Sequence, residues 1–462
     1  MPDPSLFEEI LLAPDRDHCP GAAPVVSYRP DDDPVYLAAI ERNARARVEL
    51  RRRGRWHGHL AELDEGVLGR RPEAPRLAVW SQRWHTARPI VWRGLVPPEQ
   101  RDGAELGARR RLHDELKQEG GLRRFVNARR AELEPHFRVS GRTGRAHDPE
   151  RDIERVGLTW VLDPEKAHSP RVKDLWLKSA WLSTHDADES LRMRLSFGRE
   201  PDDDASPDLR RHLRVSELAA ILLPEVELVH EHPDLAGVLA DFVGGDVFFT
   251  QHIAYWNAPE GGALFHHDAF HEDVLGGQRG VCYVQWTGAS AWLALSIEDL
   301  ARRVIELAEL LSAGDLPDMR RELFPAEQDF LELERVCGKL ERVLGELARP
   351  GCGRLAPVVN RGPEFTALLA DAGHACLLHP GDALILPNHG PLRTAMHAVF
   401  CAGQEPGYGI SMAIRERHPP EIEAPPPPGA QWGPGKRPPQ RHKKRRRLGR
   451  EDRRRRGRRG ER

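Results

Sequence analysis

The sequence predicts a mainly β fold with α-helical insertions, built as a two-sheet jelly roll, and three stretches carry that prediction. Leu191 to Phe197 reads LRMRLSF, in which Leu191, Met193, Leu195 and Phe197 alternate with polar Arg192 and Arg194, the period-two pattern of a half-buried strand. Asp246 to Asn257 (DVFFTQHIAYWN) and Gly280 to Trp286 (GVCYVQW) are rich in β-branched and aromatic residues, and they flank the short stretch GGALFHHD. Further on, His379 to Phe400 (HPGDALILPNHGPLRTAMHAVF) contains a Pro-Gly-Asp turn, an apolar run closed by Pro387, and a fresh strand beginning near Met396.

Taken in order, residues 1–150 form an Arg-rich region of mixed character, with helices expected at Val35 to Arg53 and Glu105 to His136, and strands within Leu77 to Leu95. Its arginines alternate with acidic neighbours, which points to a solvated face and away from nucleic-acid binding there. From Val156 the strands begin: GLTWVL, then DLWLKSAW and LRMRLSF, which supply one side of a roll that needs about eight strands in two sheets. The acidic loop at Asp202–Asp204 lacks the twelve-residue spacing of a calcium loop and reads as a solvated turn. Two helices, Val215 to Glu225 and His232 to Gly245, precede the strand at Asp246. Between Ser296 and Gly351, apolar residues recur at i, i+3, i+4 and i+7, the mark of amphipathic helices that pack on the roll, shape a cleft or offer a homodimer face. The expected organisation is therefore 1–150, a β domain over 151–418 with a helical insertion at about 297–350, and a tail at 419–462.

The 462 residues carry a formal net charge of −2, which conceals an asymmetry. Residues 436–462 hold 16 Lys or Arg against 3 Asp or Glu, or +13, leaving −15 for the rest. A Pro-rich stretch followed by a polycation cannot bury a core, so the tail is expected to be disordered; a tether of residues 436–462 to nucleic acid, ribosomes or the chain's own acidic body and a dispensable solubilising tail are both open readings. Six cysteines without a Cys-x-x-Cys pair fit reduced core thiols rather than a disulfide frame or zinc site. No stretch approaches the roughly 20 apolar residues of a membrane span, and the first residues lack a basic-then-apolar leader, so the expected location is cytoplasmic, with no membrane partner.

His266 and Asp268 are two residues apart, so on a strand they project from one face and can share a metal ion. His397, at the start of a later strand, is the third candidate; His389 is its rival but sits in an Asn-His-Gly-Pro turn. Two imidazoles and a carboxylate that leave coordination positions open suit non-haem Fe(II). His267 is expected to face away. The stretches YWNAPEGGALFHHD, CYVQWTGASAWLALS, HPGDALILP with His397, and YGISMAIR together resemble the cupin superfamily, specifically its JmjC-like branch of Fe(II)- and 2-oxoglutarate-dependent oxygenases.

That resemblance covers about residues 246–415. It implies a double-stranded β-helix, Fe(II) and 2-oxoglutarate as cofactors, and a dioxygenase that hydroxylates a protein side chain or small molecule. JmjC-like relatives often place a Lys for the 2-oxoglutarate carboxylate where this chain has Ser290. Arg415, helped by Ser411 on the same strand face, is the replacement candidate, with Arg393 second. Tyr255, Asn257, His271, Tyr283 and Gln285 are expected to line the substrate pocket, along with Trp256 and Trp292. The alternative is a cupin-fold metal-binding protein that is non-catalytic or uses another co-substrate.

Overall fold

A computed structural model describes residues 71–417, except 102–103, 135, 141–151, 162–170, 183–187, 198–208, 260, 270–276, 362–364, 367, 370–371 and 403–404. The helix expected at Val35 to Arg53 and the tail at 419–462 lie outside the described residues.

Thirteen strands occur among those residues. They are β1 (Ile90–Trp92), β2 (Phe137–Ser140), β3 (Asp152–Val161), β4 (Arg171–Trp181), β5 (Leu191–Phe197), β6 (Val247–Asn257) and β7 (Gly262–His266); then β8 (Gln278–Thr287), β9 (Ser290–Ser296), β10 (Ala375–Leu378), β11 (Ala383–Pro387), β12 (Ala395–Cys401) and β13 (Gly407–Glu416). A nine-stranded sheet has the order β1-β11-β8-β13-β6-β5-β4-β3-β2, and a four-stranded sheet the order β10-β9-β12-β7. Every strand pairing is antiparallel. The fold is thus mostly β with helices, as expected.

Alternation along each strand assigns residues to three cores. Leu191, Met193 and Leu195 of β5, with Ile410, Met412 and Ile414 of β13, face the first core. Helices α1 (Ala74–His85), α2 (Leu209–Leu222) and α3 (Leu235–Val243) cover it, giving Trp80, Trp84, Leu218, Leu222, Leu239 and Phe242. Part of the Leu77 to Leu95 stretch expected as strand is therefore helix. Its apolar Trp80 and Trp84 are four apart, a helical spacing that shares one buried face, and only Ile90–Trp92 is extended. Likewise the stretch Glu105 to His136, expected as one helix, breaks after Leu116 and restarts at Gly121.

A second core lies behind the four-stranded sheet, under the helical insertion, so the insertion packs on that sheet. Its first helix, α4 (Ile297–Ala313), is set by its ends. Ser296 Oγ accepts the Asp299 amide hydrogen at 3.0 Å, acidic Glu298 and Asp299 occupy the first turn, and Gly314 closes the helix at φ 83°. Loss of such an N-cap costs about 1 kcal/mol. The third core, including Val281, Leu384, Leu386, Trp292, Cys376 and Val399, is contributed by both sheets and fills the space between them.

Against the first core, His230 and His252 meet Nε2 to Nε2 at 2.9 Å, with His230 stacked on Phe249. Burial pushes His230 down to about 4; burial, then the neighbouring His230, holds His252 well below the usual imidazole range. The unfolded chain takes up these protons below about pH 6.5, whereas folded His230 refuses its proton until near pH 4 and folded His252 is likewise held below the unfolded value. Stability therefore falls as pH drops across that window, by about 3 kcal/mol from His230 alone. Urea denaturation at both ends of the window is expected to show a loss that shrinks by about half or more in His230→Gln. An equal loss in the variant would refute this account.

Candidate metal centre

The strand GALFH runs close against the strand that carries His397. A Cβ on Gly262, at φ 154°, would lie 2.0 Å from the Val399 carbonyl oxygen, so only glycine admits this approach. The result is that His266 and His397 are direct cross-strand partners, with ring centroids 4.2 Å apart. Asp268, just past the end of β7, turns back between them. Its Oδ1 is 3.9 Å from His266 Nε2 and its Oδ2 is 3.7 Å from His397 Nε2. One ligand atom from each of the three lies within 4.8 Å of the others.

The protonation pattern suits a cation. His266 Nδ1 donates to the Leu264 carbonyl at 2.7 Å, which orients Nε2 toward Asp268. Burial, then the charge of His266, pushes His397 down to about 3, although Asp268 works in the opposite direction. The Ala395 carbonyl, also two residues back, acts on His397 as Leu264 does on His266, though His397 Nδ1 completes no hydrogen bond. Burial works to raise Asp268, but the imidazoles of His397, His266 and His267, with Arg194, outweigh it and hold the carboxyl below its ordinary value. Two imidazoles and a carboxylate crowded together fit a divalent ion.

The three open onto a cavity of about 260 Å³ between the sheets, continuous with the third core. Its walls include Gln251, Ile253, Tyr255 and Asn257 of β6, Val281 and Tyr283 of β8, Trp292 of β9, and Ser411 and Ala413 of β13. The Trp292 ring packs tilted against His397 at 5.6 Å between centroids, and Tyr283 against Trp292 at 4.7 Å. Burial raises both Tyr255 and Tyr283 above the usual phenol range, so both stay neutral. Asn257 Oδ1 and Gln278 Oε1, on residues that line this space, are buried without a hydrogen-bond partner. Such atoms call for a hydrogen-bond donor from a bound water or ligand.

Of the residues singled out from sequence, Tyr255, Asn257, Tyr283 and Ser411 line the cavity beside His266, Asp268 and His397. Gln285 is buried one step away, where its Oε1 accepts from Tyr283 at 2.8 Å and from Ser290 at 2.6 Å; Trp292 Nε1 donates to Ser290 Oγ. Ser290 is thus a fixed polar strut under the cavity wall. Arg415 follows Ser411 and Ala413 along β13 and is 1% exposed, opposite Gln278, but is not among the lining residues. Arg393 is exposed and donates to the His85 carbonyl, away from the cavity. His389 bonds the Trp84 carbonyl at 2.8 Å. His271 lies outside the described residues. His267, expected to face away, also lines the cavity, with Nε2 bonded to the Ala348 carbonyl.

Trp256 is the exception on β6. Gln251 takes a positive φ of 49° and the pairing with β13 shifts at that point, a bulge that resets which residues face inward. Trp256 then falls in the first core, donating to the Arg109 carbonyl at 2.9 Å. Among the lining residues that have no place in the sequence reading of the site are two cations, Arg192 and Arg194 of β5. Their alternation was visible, but a polar strand face looks alike whether it meets solvent or a cavity.

No family model matches the sequence, and no curated protein matches it. Among solved structures, the chain is similar to the non-haem α-ketoglutarate-dependent epimerase SnoN from nogalamycin biosynthesis, at 10% identity and TM-score 0.29, over 74% of this chain and 84% of that one. It is also similar to an oxidoreductase of the 2OG-Fe(II) oxygenase family from Burkholderia pseudomallei, at 8% identity and TM-score 0.23, over 76% of this chain and 94% of that one. At these TM-scores neither superposition decides fold or activity, and what the centre can do follows from its own side chains.

Proposed function

We propose that the chain is an Fe(II)- and 2-oxoglutarate-dependent oxygenase that hydroxylates a small molecule or protein side chain within a double-stranded β-helix. The observation that carries this is the convergence of His266, Asp268 and His397 at the rim of a walled cavity. The strand order supports the fold assignment. From β6 onward the chain visits the large sheet, the small, the large, the small twice, then the large, the small and the large. Such alternation winds the two sheets around one interior.

His266, Asp268 and His397 would hold the metal, which would supply the O2-activating chemistry when bound. Asp268 contributes one negative charge, so a divalent ion here keeps an unbalanced positive charge that favours an anionic co-substrate. Ser411 and Gln278 face the cavity from β13 and β8 and can position its distal carboxylate. Arg415, buried opposite Gln278, supplies the compensating charge from behind. Tyr283 and Trp292 keep water from the inner wall.

The expected result is Fe(II) binding under anaerobic conditions and, on addition of 2-oxoglutarate, the weak visible charge-transfer band of the chelate. The band should fade in Arg415→Ala and be absent in His266→Ala. The serine at position 290 and the position of Arg415 favour one second reading, a metal-binding protein of this fold that uses no 2-oxoglutarate. Iron binding without the band would establish that reading, and no metal binding would refute both.

A further inference from the structure

Strand β5 brings two cations to the cavity from outside the strands that hold the candidate metal ligands. Leu191, Met193 and Leu195 are fixed in the first core, so strand alternation turns Arg192 and Arg194 to the opposite face, and both line the cavity. Arg194 acts electrostatically on Asp268, and both arginines act on Tyr255. These arginines are therefore close enough to feel the charge of a ligand bound at the centre.

The cations do not end at β5. Arg194 is paired across the strands with Lys178 of β4, and Lys178 with Arg155 of β3. Directly opposite residues share a face, with Cβ atoms about 4.5–5.5 Å apart, and like charges so placed repel. Val156 and Leu177 occupy the first core, so Arg155 and Lys178 are on the face of Arg194. Glu154, next to Arg155 in sequence, accepts the Leu122 and Arg123 amide hydrogens instead. A row of Arg155, Lys178 and Arg194, with Arg192 beside it, opposes pairing by propensity and gains by binding an anion. Each has interactions of its own in the chain, and a guanidinium with five donors can serve an internal partner and a ligand together.

The sheet order separates this pole from the one assigned to the co-substrate. Ser411 lies on β13 and Gln278 on β8, whereas β5 is two strands beyond β13. At about 4.8 Å per strand the two poles are roughly 10 Å apart. We propose that Arg192 and Arg194 recognise a carboxylate or phosphate group on the organic substrate, and that Lys178 and Arg155 extend this anion site away from the metal ligands. The substrate class is then an anionic small molecule, in keeping with a cavity of about 260 Å³, smaller than the roughly 300–1,000 Å³ of typical drug-sized sites. That this anion is a substrate rests on the oxygenase reading; the anion site itself stands on the cation row.

The test is calorimetric titration of the full chain with benzoate, phenyl phosphate and neutral benzamide. It is run on protein holding Fe(II) and 2-oxoglutarate without O2 and, in parallel, on chelator-treated protein, where no anion can ligate a metal. At least one anion is expected to bind about tenfold or more tighter than benzamide in both forms. Its affinity should fall several-fold between about 50 and about 500 mM salt. Arg192→Gln/Arg194→Gln should lose about tenfold for that anion, with benzamide affinity within about twofold of wild type and 2-oxoglutarate affinity falling by clearly less than tenfold. Arg194→Lys should retain most of the preference, which keeps the test readable if the double variant folds poorly. Equal binding of benzamide and both anions, or salt-insensitive anion binding, would overturn the proposal. A tenfold loss of 2-oxoglutarate affinity in the double variant would assign the arginines to the co-substrate and overturn it too. Failure to bind Fe(II) with the anion preference intact in chelator-treated protein would refute the oxygenase and leave the anion site standing.

Discussion

Asp268→Ala is expected to abolish Fe(II) binding and to leave the fold intact. Asp268 is the only carboxylate of the triad and sits between two imidazoles, 3.9 Å from His266 Nε2 and 3.7 Å from His397 Nε2. Without it, a divalent ion would be left with two neutral ligands and the charge of nearby Arg194. The loss in affinity should exceed the roughly 10–100-fold that follows removal of a mere supporting partner around a metal. Asp268 is better suited to this test than His397: its side chain is 41% exposed, while that of His397 is 5% exposed and packs on Trp292. Truncating His397 would open a void and mix folding with binding. Asp268→Asn separates charge from shape, since the amide keeps the size and loses the negative charge. Equilibrium dialysis against Fe(II), with thermal unfolding as the check on folding, is the measurement. Near wild-type affinity in Asp268→Ala would remove the carboxylate from the centre and with it the proposed chemistry.

The triad was legible in the sequence because its geometry is local on each side. A His-x-Asp spacing at a strand end puts two candidate ligands on one face, and a histidine early in the apolar strand that follows Pro387 supplies the third candidate. Ser411, Tyr255 and Tyr283 followed from strand parity. What the sequence did not disclose was non-local. Nothing in LRMRLSF tells which strand β5 lies beside, and only its pairing with β6, Arg192 opposite Tyr255 and Arg194 opposite Ile253, brings the arginines to the cavity. The bulge at Gln251 is equally invisible: it demands a positive φ from a residue that rarely adopts one, and it sets the parity by which Tyr255 and Asn257 face the cavity while Trp256, between them, faces the core. The stretch Leu77 to Leu95 misled for a different reason. Tryptophans favour strands by propensity, but Trp80 and Trp84 are held by packing against the first core, and packing prevails over propensity.

Asp382→Ala costs about 3–5 kcal/mol, because it strips a buried arginine of its counter-ion. Asp382 belongs to the Pro-Gly-Asp turn that leads into β11, and its carboxylate is 2.7 Å from Arg93 Nη1, with both side chains 8% exposed. The same carboxylate accepts the Gly94 amide hydrogen at 2.8 Å and the His379 amide hydrogen at 2.9 Å, while Arg93 also donates to the Leu377 carbonyl. One carboxylate thus joins the segment after β1 to the turn between β10 and β11, strands of different sheets. Replacing the ion pair by Arg93→Met/Asp382→Leu should recover part of the loss, since an apolar pair has no charge to desolvate. It should not recover all of it, because the Gly94 and His379 amides would still lack their acceptor, at about 1–3 kcal/mol each. Urea denaturation of the three proteins gives the order: wild type most stable, the double variant between, Asp382→Ala least. A loss below about 1 kcal/mol in Asp382→Ala would mean the pair is incidental. The expected order has a consequence for the site: β11 pairs with β8 and supplies Leu386 to the cavity wall, so the N-terminal segment braces the wall that carries Tyr283.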